Sequence, residues 1–444
     1  MSDLTRGPVL TSIVRFGLPL GAANLAQQGY LLVDSVIVGR YTGVTGLAAI
    51  GAGQPLFALM AGVFFGAATA FSVRLGGQLG AGTGPGRAVA AALATVTAGW
   101  SVVCLLLTVT VTGPVLTLIG VEGTVAADAR RFLLTLALGL PAVFGLGAVT
   151  AAQRGLGDAR SALRVTVLTS ALNAILAWWF VAPLGWGVTG AAAATGVANL
   201  VGLAVGLVAL RRRWPAAGAG GSDDFGAELR ASLRLGLPLA VQHALIGLGV
   251  LILVLIVARY GTVALAAVTV VARLELFTGL IFLNLSGALT VFVAQNHGAG
   301  RADRIADGLR RTLWLTVALT AAVTAALLAR PSVVAAVFGG DAATQALIAR
   351  YIVIAYPFFL LYTVMVVAHG WLIGLGRTGP PLVCTVLSFV AVRLPLSYLL
   401  GRWFGVDGIL WAVVLSWAVG AVYTVFVIRV PAPASAVRAA VHAE

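Results

Sequence analysis

Arg15-Phe-Gly-Leu-Pro-Leu20 sits within the first long apolar run of the chain, and Arg234-Leu-Gly-Leu-Pro-Leu239 sits in another, 219 residues later. The same offset carries Val38, Arg40 and Tyr41 onto Val257, Arg259 and Tyr260, and Gly155-Leu-Gly-Asp158 onto Gly374-Leu-Gly-Arg377. An offset of 218 pairs Gly80-Ala-Gly82 with Gly298-Ala-Gly300. One shared Gly-Leu-Pro arises easily by chance. Register kept at several separated places marks an internal duplication.

Outward from these anchors, each copy holds six apolar runs of the length that crosses a bilayer, about 20 residues. In the first half they are read as 9–39, 45–72, 88–112, 130–152, 161–183 and 188–210, and in the second as 230–258, 263–294, 309–329, 349–373, 379–400 and 406–428. The one polar linker is 211–228, with Arg211-Arg-Arg-Trp-Pro followed by a Gly- and Asp-rich stretch. The expected organisation is an all-α polytopic membrane protein of twelve spans in two pseudo-symmetric six-helix bundles. Residues 1–210 form the first bundle, 211–228 a cytoplasmic linker, 229–430 the second bundle and 431–444 a cytoplasmic tail. An even number of spans per copy gives both the same orientation, related by an axis along the membrane normal, a layout in which transporters bind substrate between the halves.

Composition agrees. Of 444 residues 60% are hydrophobic and 9% charged, with a mean hydropathy of +1.04. A soluble domain carries about 25% charged residues, so a soluble enzyme is excluded. The net charge is +14 and all 28 basic residues are Arg. On so apolar a chain this charge is read as anchoring helix ends at the membrane face rather than as a nucleic-acid surface. With the chain start placed inside, 19 arginines fall on the cytoplasmic side, 7 outside and 2 (Arg273 and Arg393) within spans. That asymmetry predicts both termini in the cytoplasm. The Ala-, Gly-, Val- and Arg-rich, Lys-free composition suggests a GC-rich bacterial genome, hence the bacterial cytoplasmic membrane. The first apolar run continues to about Val38, far beyond a signal-peptide core, and is read as a membrane helix. Cys104 and Cys384 lie in apolar runs, so no disulfide, metal site or cofactor is expected. No Walker A sequence and no HExxH, paired-Asp or Ser/His set within spans is present, which argues against an ATP-driven pump and an intramembrane enzyme.

With so few charges, an acid inside a span is informative. Twelve of the fourteen acids are read as lying in loops, linker or termini; Asp34 and Glu275 are the exceptions. Asp at a helix centre costs about 2.5–3.5 kcal/mol by insertion scales. Protonated it is inexpensive there, whereas ionised it demands water or a partner. Gln27, Tyr30 and Asp34 recur at helical spacing on span 1 and so share a stripe. The repeat places Leu253 opposite Asp34, so the fold itself does not need the acid. Pro19 removes an intrahelical hydrogen bond and is expected to bend span 1. Glu275 and Arg273, two apart, do not face each other. His243, Arg273, Glu275 and Arg393 are grouped as a possible polar network of the second bundle, with Arg393 as the partner for Glu275, and structural bracing is the favoured role. His369 is read as a packing residue.

The chain resembles the multidrug and toxic compound extrusion (MATE) transporters, nearer their DNA-damage-inducible-F-like branch. The resemblance rests on Leu18-Pro19 with Val33-Asp-Ser-Val-Ile-Val-Gly39, Arg154-Gly-Leu-Gly-Asp158, Val293-Ala-Gln-Asn-His-Gly-Ala-Gly-Arg301 and Gly374-Leu-Gly-Arg-Thr378. It implies two six-helix bundles forming a V around a central cavity, and a secondary active exporter of amphipathic, often cationic compounds. It further implies that Asp34 occupies a first-bundle pocket with Tyr30, Asn173 and Thr195, and that protonation of the acid rearranges span 1 around Pro19. Many members carry a second Asp where this chain has Ala177, a departure that favours protons over sodium as the coupling ion. Phe57, Phe64 and Trp178 join Tyr30 as candidate cavity aromatics. The rival readings are a sodium-coupled exporter and a lipid-linked oligosaccharide flippase of the same superfamily. The expected partners are small organic substrates and the lipid bilayer, and a monomer is expected.

Overall fold

The computed structural model describes residues 3–118, 120–214 and 224–429. Part of the expected linker and the whole tail 431–444 lie outside the described residues. Leu-, Val- and Ala-rich runs become helices because, in lipid, each backbone N–H and C=O must be satisfied within its own segment. The order is α1 (Val9–Gly80), α2 (Arg87–Leu118), α3 (Gly123–Gly155), α4 (Ala159–Val181) and α5 (Gly187–Arg213), then α6 (Phe225–Ala258), α7 (Thr262–Gly298), α8 (Ala302–Ala329), α9 (Pro331–Val337) and α10 (Ala342–Ala355). A 3₁₀ turn at Tyr356–Phe358 joins α10 to α11 (Phe359–Gly374), and a π-helical stretch at Val386–Arg393 joins α12 (Gly379–Thr385) to α13 (Leu394–Phe404); α14 (Val406–Arg429) follows. Among the described residues eleven helical stretches are long and apolar enough to cross a membrane. The first, with 72 residues, would measure about 108 Å as one rod against a hydrocarbon core of about 30 Å, so it crosses twice. This makes twelve spans.

The division between the first two spans falls where it is expected, between residues 39 and 45, but as a kink within one helix and not as a loop. Helical dihedrals run unbroken through Pro19 and Arg40, and only Gly43 (φ 70°, ψ −165°) leaves the helical region. A positive φ of this kind is free only to glycine. Its counterpart in the second half, Gly261 (φ 91°), lies in the full gap between α6 and α7. The same duplicated turn is thus a kink in one half and a break in the other. The helices also overrun the expected boundaries elsewhere: span 2 continues to Gly80 and span 8 to Gly298.

Packing explains the repeated Gly-Leu-Gly motif. A Cβ on Gly155 would lie 2.6 Å from the Ser72 carbonyl oxygen, and one on Gly374 would lie 2.6 Å from that of Thr290, its counterpart contact. Each glycine lets a helix end close on the preceding long span. Asp158 then caps α4, accepting from the Ser161 backbone N–H at 3.1 Å, and pairs with Arg213 at the end of α5. Burial alone pushes the Asp158 carboxyl up, but the hydrogen bonds from Ser161 and Arg213 and the guanidinium's charge hold it below its ordinary 3.8. Within the first half α3 packs on α5 and on α1, and α4 on α5 and α1; in the second, α7 packs on α8 and α11, and α14 on α11 and α13. The halves meet along α1, which also packs against α6 and α7. Leu118, Leu138, Trp314 and Phe426 stand exposed on the outside of the molecule, where acyl chains replace water.

Candidate functional site

Span 1, residues 9–42 of α1, carries the polar stripe. Tyr30 and Asp34 are partly buried and Gln27 is exposed, with the Gln27 side chain in reach of the Tyr30 hydroxyl. Asn173 on α4 faces Asp34, and Thr195 on α5 meets Asn173 from the other side. Assigning the Asn173 amide by its surroundings, its nitrogen donates to the two Asp34 carboxylate oxygens at 3.0 and 3.2 Å while its oxygen accepts from the Thr195 hydroxyl at 3.1 Å. Asn199, one turn after Thr195, donates to the Thr195 carbonyl at 2.8 Å. Four of the residues expected at the site (Tyr30, Asp34, Asn173 and Thr195) therefore do converge, from three separate spans.

The partners of Asp34 are neutral, and among the described residues no cationic side chain pairs with it. Two amide hydrogens and a nearby phenol stabilise the carboxylate only in part. A negative charge in a low-dielectric surround is costly unless a proton or a cation balances it. Ala177, one turn beyond Asn173, is fully buried and packs with Ile37, Val38, Val181 and Val188. The position where a second carboxylate is expected is therefore filled by apolar packing.

Other expectations are corrected. Glu275 accepts a hydrogen bond from the Tyr351 hydroxyl, not from Arg393. The Arg393 Nε donates to the Ser416 hydroxyl at 2.9 Å, and its guanidinium lies over the Phe389 ring at 4.5 Å and the Trp417 ring at 5.8 Å. Arg393 closes the π-helical stretch, whose extra residue re-aims the side chain inward. It still shares a neighbourhood with Glu275 across the Tyr351 and Tyr362 rings, so the two belong to one polar cluster without an ion pair. Arg273 is exposed. His243 sits apart from the cluster, against Gly62 and Gly66 of α1 in the other half. His369 meets the Thr424 hydroxyl at 3.2 Å as a packed, hydrogen-bonded residue. Phe64, expected at the cavity, is a buried core side chain stacked on Phe144 at 4.7 Å.

Two features escaped sequence reasoning. Glu228, read as linker, lies in the first turn of α6 with its side chain 1% exposed. It accepts from Arg74 at 2.9 and 2.7 Å and from Gln78 at 3.2 Å, both on α1. Asn24 on span 1 donates to Asn284 on α7 at 2.5 Å, across the two halves. A sequence signal existed for the second: Asn24 is a further amide in the apolar run that carries Gln27 and Asp34.

A duplicated twelve-span bundle with a carboxyl met by a neutral amide inside one half describes a membrane transporter. The MatE family model matches the chain twice, over residues 19–179 and 238–399, and its second match begins at Pro238, the repeat partner of Pro19. The chain belongs to the MatE family and is a transporter, not an enzyme. Among its relatives, the probable multidrug resistance protein YoeA of Bacillus subtilis is 24% identical over 411 residues, covering 89% of this chain and 88% of the relative. The probable multidrug resistance protein NorM of Thermotoga maritima is 24% identical over 409 residues, covering 88% and 86%. The solved structure of the Vibrio cholerae MATE transporter VcmN in its bent form superposes with a TM-score of 0.85 at 21% identity, covering 94% of this chain and 95% of that one.

Proposed function

We propose that this transporter exports amphipathic, often cationic organic compounds in exchange for protons, with Asp34 as the residue that takes up and releases the proton. The observation that carries this reading is that the Asp34 carboxyl is met by a neutral amide, Asn173, with apolar packing at Ala177 in place of a second carboxylate. One carboxylate and neutral oxygens suit a proton; a sodium cage calls for more anionic ligands. Protonation removes the charge that retains a cationic substrate and weakens the hold of Asn173, so span 1 shifts and substrate is released. The 19-to-7 arginine asymmetry supports a cytoplasmic placement for the chain start and the linker, in a bacterial cytoplasmic membrane. The multidrug resistance names of the relatives support a broad substrate range, and the lone acid on span 1 supports the DNA-damage-inducible-F-like branch.

The test is dye export by proteoliposomes under separately imposed proton and sodium gradients. Wild type is expected to export on the proton gradient, and Asp34→Asn to lose that export while remaining folded. Proton-driven export by Asp34→Asn at the wild-type rate overturns the reading, and sodium-driven export by wild type replaces it with sodium coupling.

A further inference from the structure

Span 1 does not belong to one half. Its head packs with the first: Ile37 and Val38 share a core cluster with Phe132 of α3, Ala177 of α4 and Val188 of α5. Its foot packs with the second: Ile13, Phe16 and Leu20 sit in the core cluster of Phe282, Ala288, Leu289 and Phe292 on α7. The segment ahead of it, residues 3–8, extends that attachment as a strap. Leu4 is 1% exposed within the same cluster. Its N–H donates to the Gln295 side-chain oxygen at 3.2 Å, and its carbonyl accepts from Asn296 at 3.1 Å and from Arg304 at 3.1 Å.

Arg304 is the hub. Beyond Leu4 it donates to the Gly7 carbonyl at 2.8 Å, the Arg6 carbonyl at 3.3 Å and the Asn296 oxygen at 2.9 Å, with its guanidinium over the Phe292 ring at 5.5 Å. A guanidinium presents donors in several directions at once, which is what three carbonyls on a turning strap require. Gly7, at φ 74°, makes that turn. Gln295 reaches the other way as well, donating to the Gly155 carbonyl of the first half at 3.2 Å.

We infer that Gln295, Asn296 and Arg304 are positioning residues of transport: they clamp the foot of span 1 to the second half, so that a change at Asp34 on its head is transmitted to the seam between the halves. A helix held by one half at its head and by the other at its foot cannot shift at the head without loading the foot, because its helical dihedrals run unbroken from the foot through Pro19 to the head. Asn24 bonded to Asn284 marks the middle of the crossing. With the clamp cut, the head still responds to its proton, but the halves no longer answer. This inference rests on the reading of Asp34 as the proton-coupling residue.

The experiment uses the full chain with Arg304→Gln, Asn296→Ala and, as a variant that leaves α7 and α8 untouched, Leu4→Asp. Three readouts are taken: export of a cationic dye by proteoliposomes, dye affinity of the purified protein as pH is varied, and the distance between spin labels at Arg87, the first residue of α2, and Arg310, in the first half of α8, both exposed. In the clamp variants export is expected to fall by about tenfold, within the range of measured site-to-site couplings. The pH dependence of dye affinity is expected to stay within about twofold of wild type, as for sites that share no partner, while the label distance stops responding to pH. Wild-type export with a wild-type pH-responsive distance in the folded variants overturns the inference, as does loss of the pH-dependent affinity together with export, which marks a general structural role. Failure of the Asp34 reading is seen separately, as proton-driven export by Asp34→Asn with an intact clamp.

Discussion

Asp34 gains its meaning from what it touches. An amide nitrogen at 3.0 and 3.2 Å satisfies part of the carboxylate, and the remaining charge calls for a proton or a passing cation. On the proposed reading, Ala177 favours the proton over sodium, and a substitution there tests it. Ala177→Asp puts a second carboxylate one turn from Asn173, at an insertion cost of about 2.5–3.5 kcal/mol that a bound cation offsets. The variant is expected to be less heat-stable than wild type in potassium and to recover when sodium is added, whereas wild type responds to neither. Thermal unfolding in detergent reads this without any transport step. Equal stability of the variant in sodium and potassium would show that the pocket cannot be made into a sodium site. Asp34 was legible as an acid inside an apolar span, and Asn173 and Thr195 through the resemblance of the chain to its family. Their mutual geometry was not, because three spans must pack before an amide can face a carboxylate. Glu228 was misread for the opposite reason: next to a Gly- and Asp-rich linker an acid looks solvated, and only the approach of α1 buries it.

At the scale of elements, the duplicated glycines show how the long spans meet. A Cβ on Gly298 would lie 2.0 Å from the Gly77 carbonyl oxygen, and one on Gly80 would lie 1.9 Å from the Gln295 carbonyl oxygen. Both obstacles are backbone, which cannot rotate away. Gly298→Ala therefore forces the ends of α1 and α7 apart, at the cost of about 1–3 kcal/mol typical of overpacking. The expected result is a chain that folds but disfavours closure at this end, seen as a longer distance between labels at Arg87 and Arg310 and slower dye export; an unchanged distance would refute it. The repeat of Gly-Ala-Gly was visible in the sequence. That the two copies touch each other, backbone to backbone, was not, since a repeat states equivalence and says nothing of contact.

For the molecule as a whole, the buried pair between Arg74 and Glu228 ties the halves on the side where the linker leaves α5. Removing one partner of a buried pair leaves the other desolvated without its counter-charge. Because Arg74 keeps 34% of its side-chain exposure, the cost of Glu228→Ala is trimmed to about 1–2 kcal/mol. Thermal stability is expected to fall accordingly, and protease or thiol-probe access at the linker end to rise. If neither changes, the pair is not what holds the halves together there.

The sequence by itself determined that the chain crosses the membrane twelve times in two like-oriented copies, and which acid the fold can spare. Hydropathy, the repeat and the arginine asymmetry are properties of residues along the chain, and the cost of a polar group in lipid acts on each segment separately. Only the tertiary structure decided that span 1 is shared, its head packed with Phe132, Ala177 and Val188 and its foot with Phe282, Leu289 and Phe292. That division depends on which helices lie side by side, and in lipid every apolar face is equally content with a neighbour or with acyl chains. Close packing and a few hydrogen bonds across the seam select one arrangement, and these exist only once the halves have met.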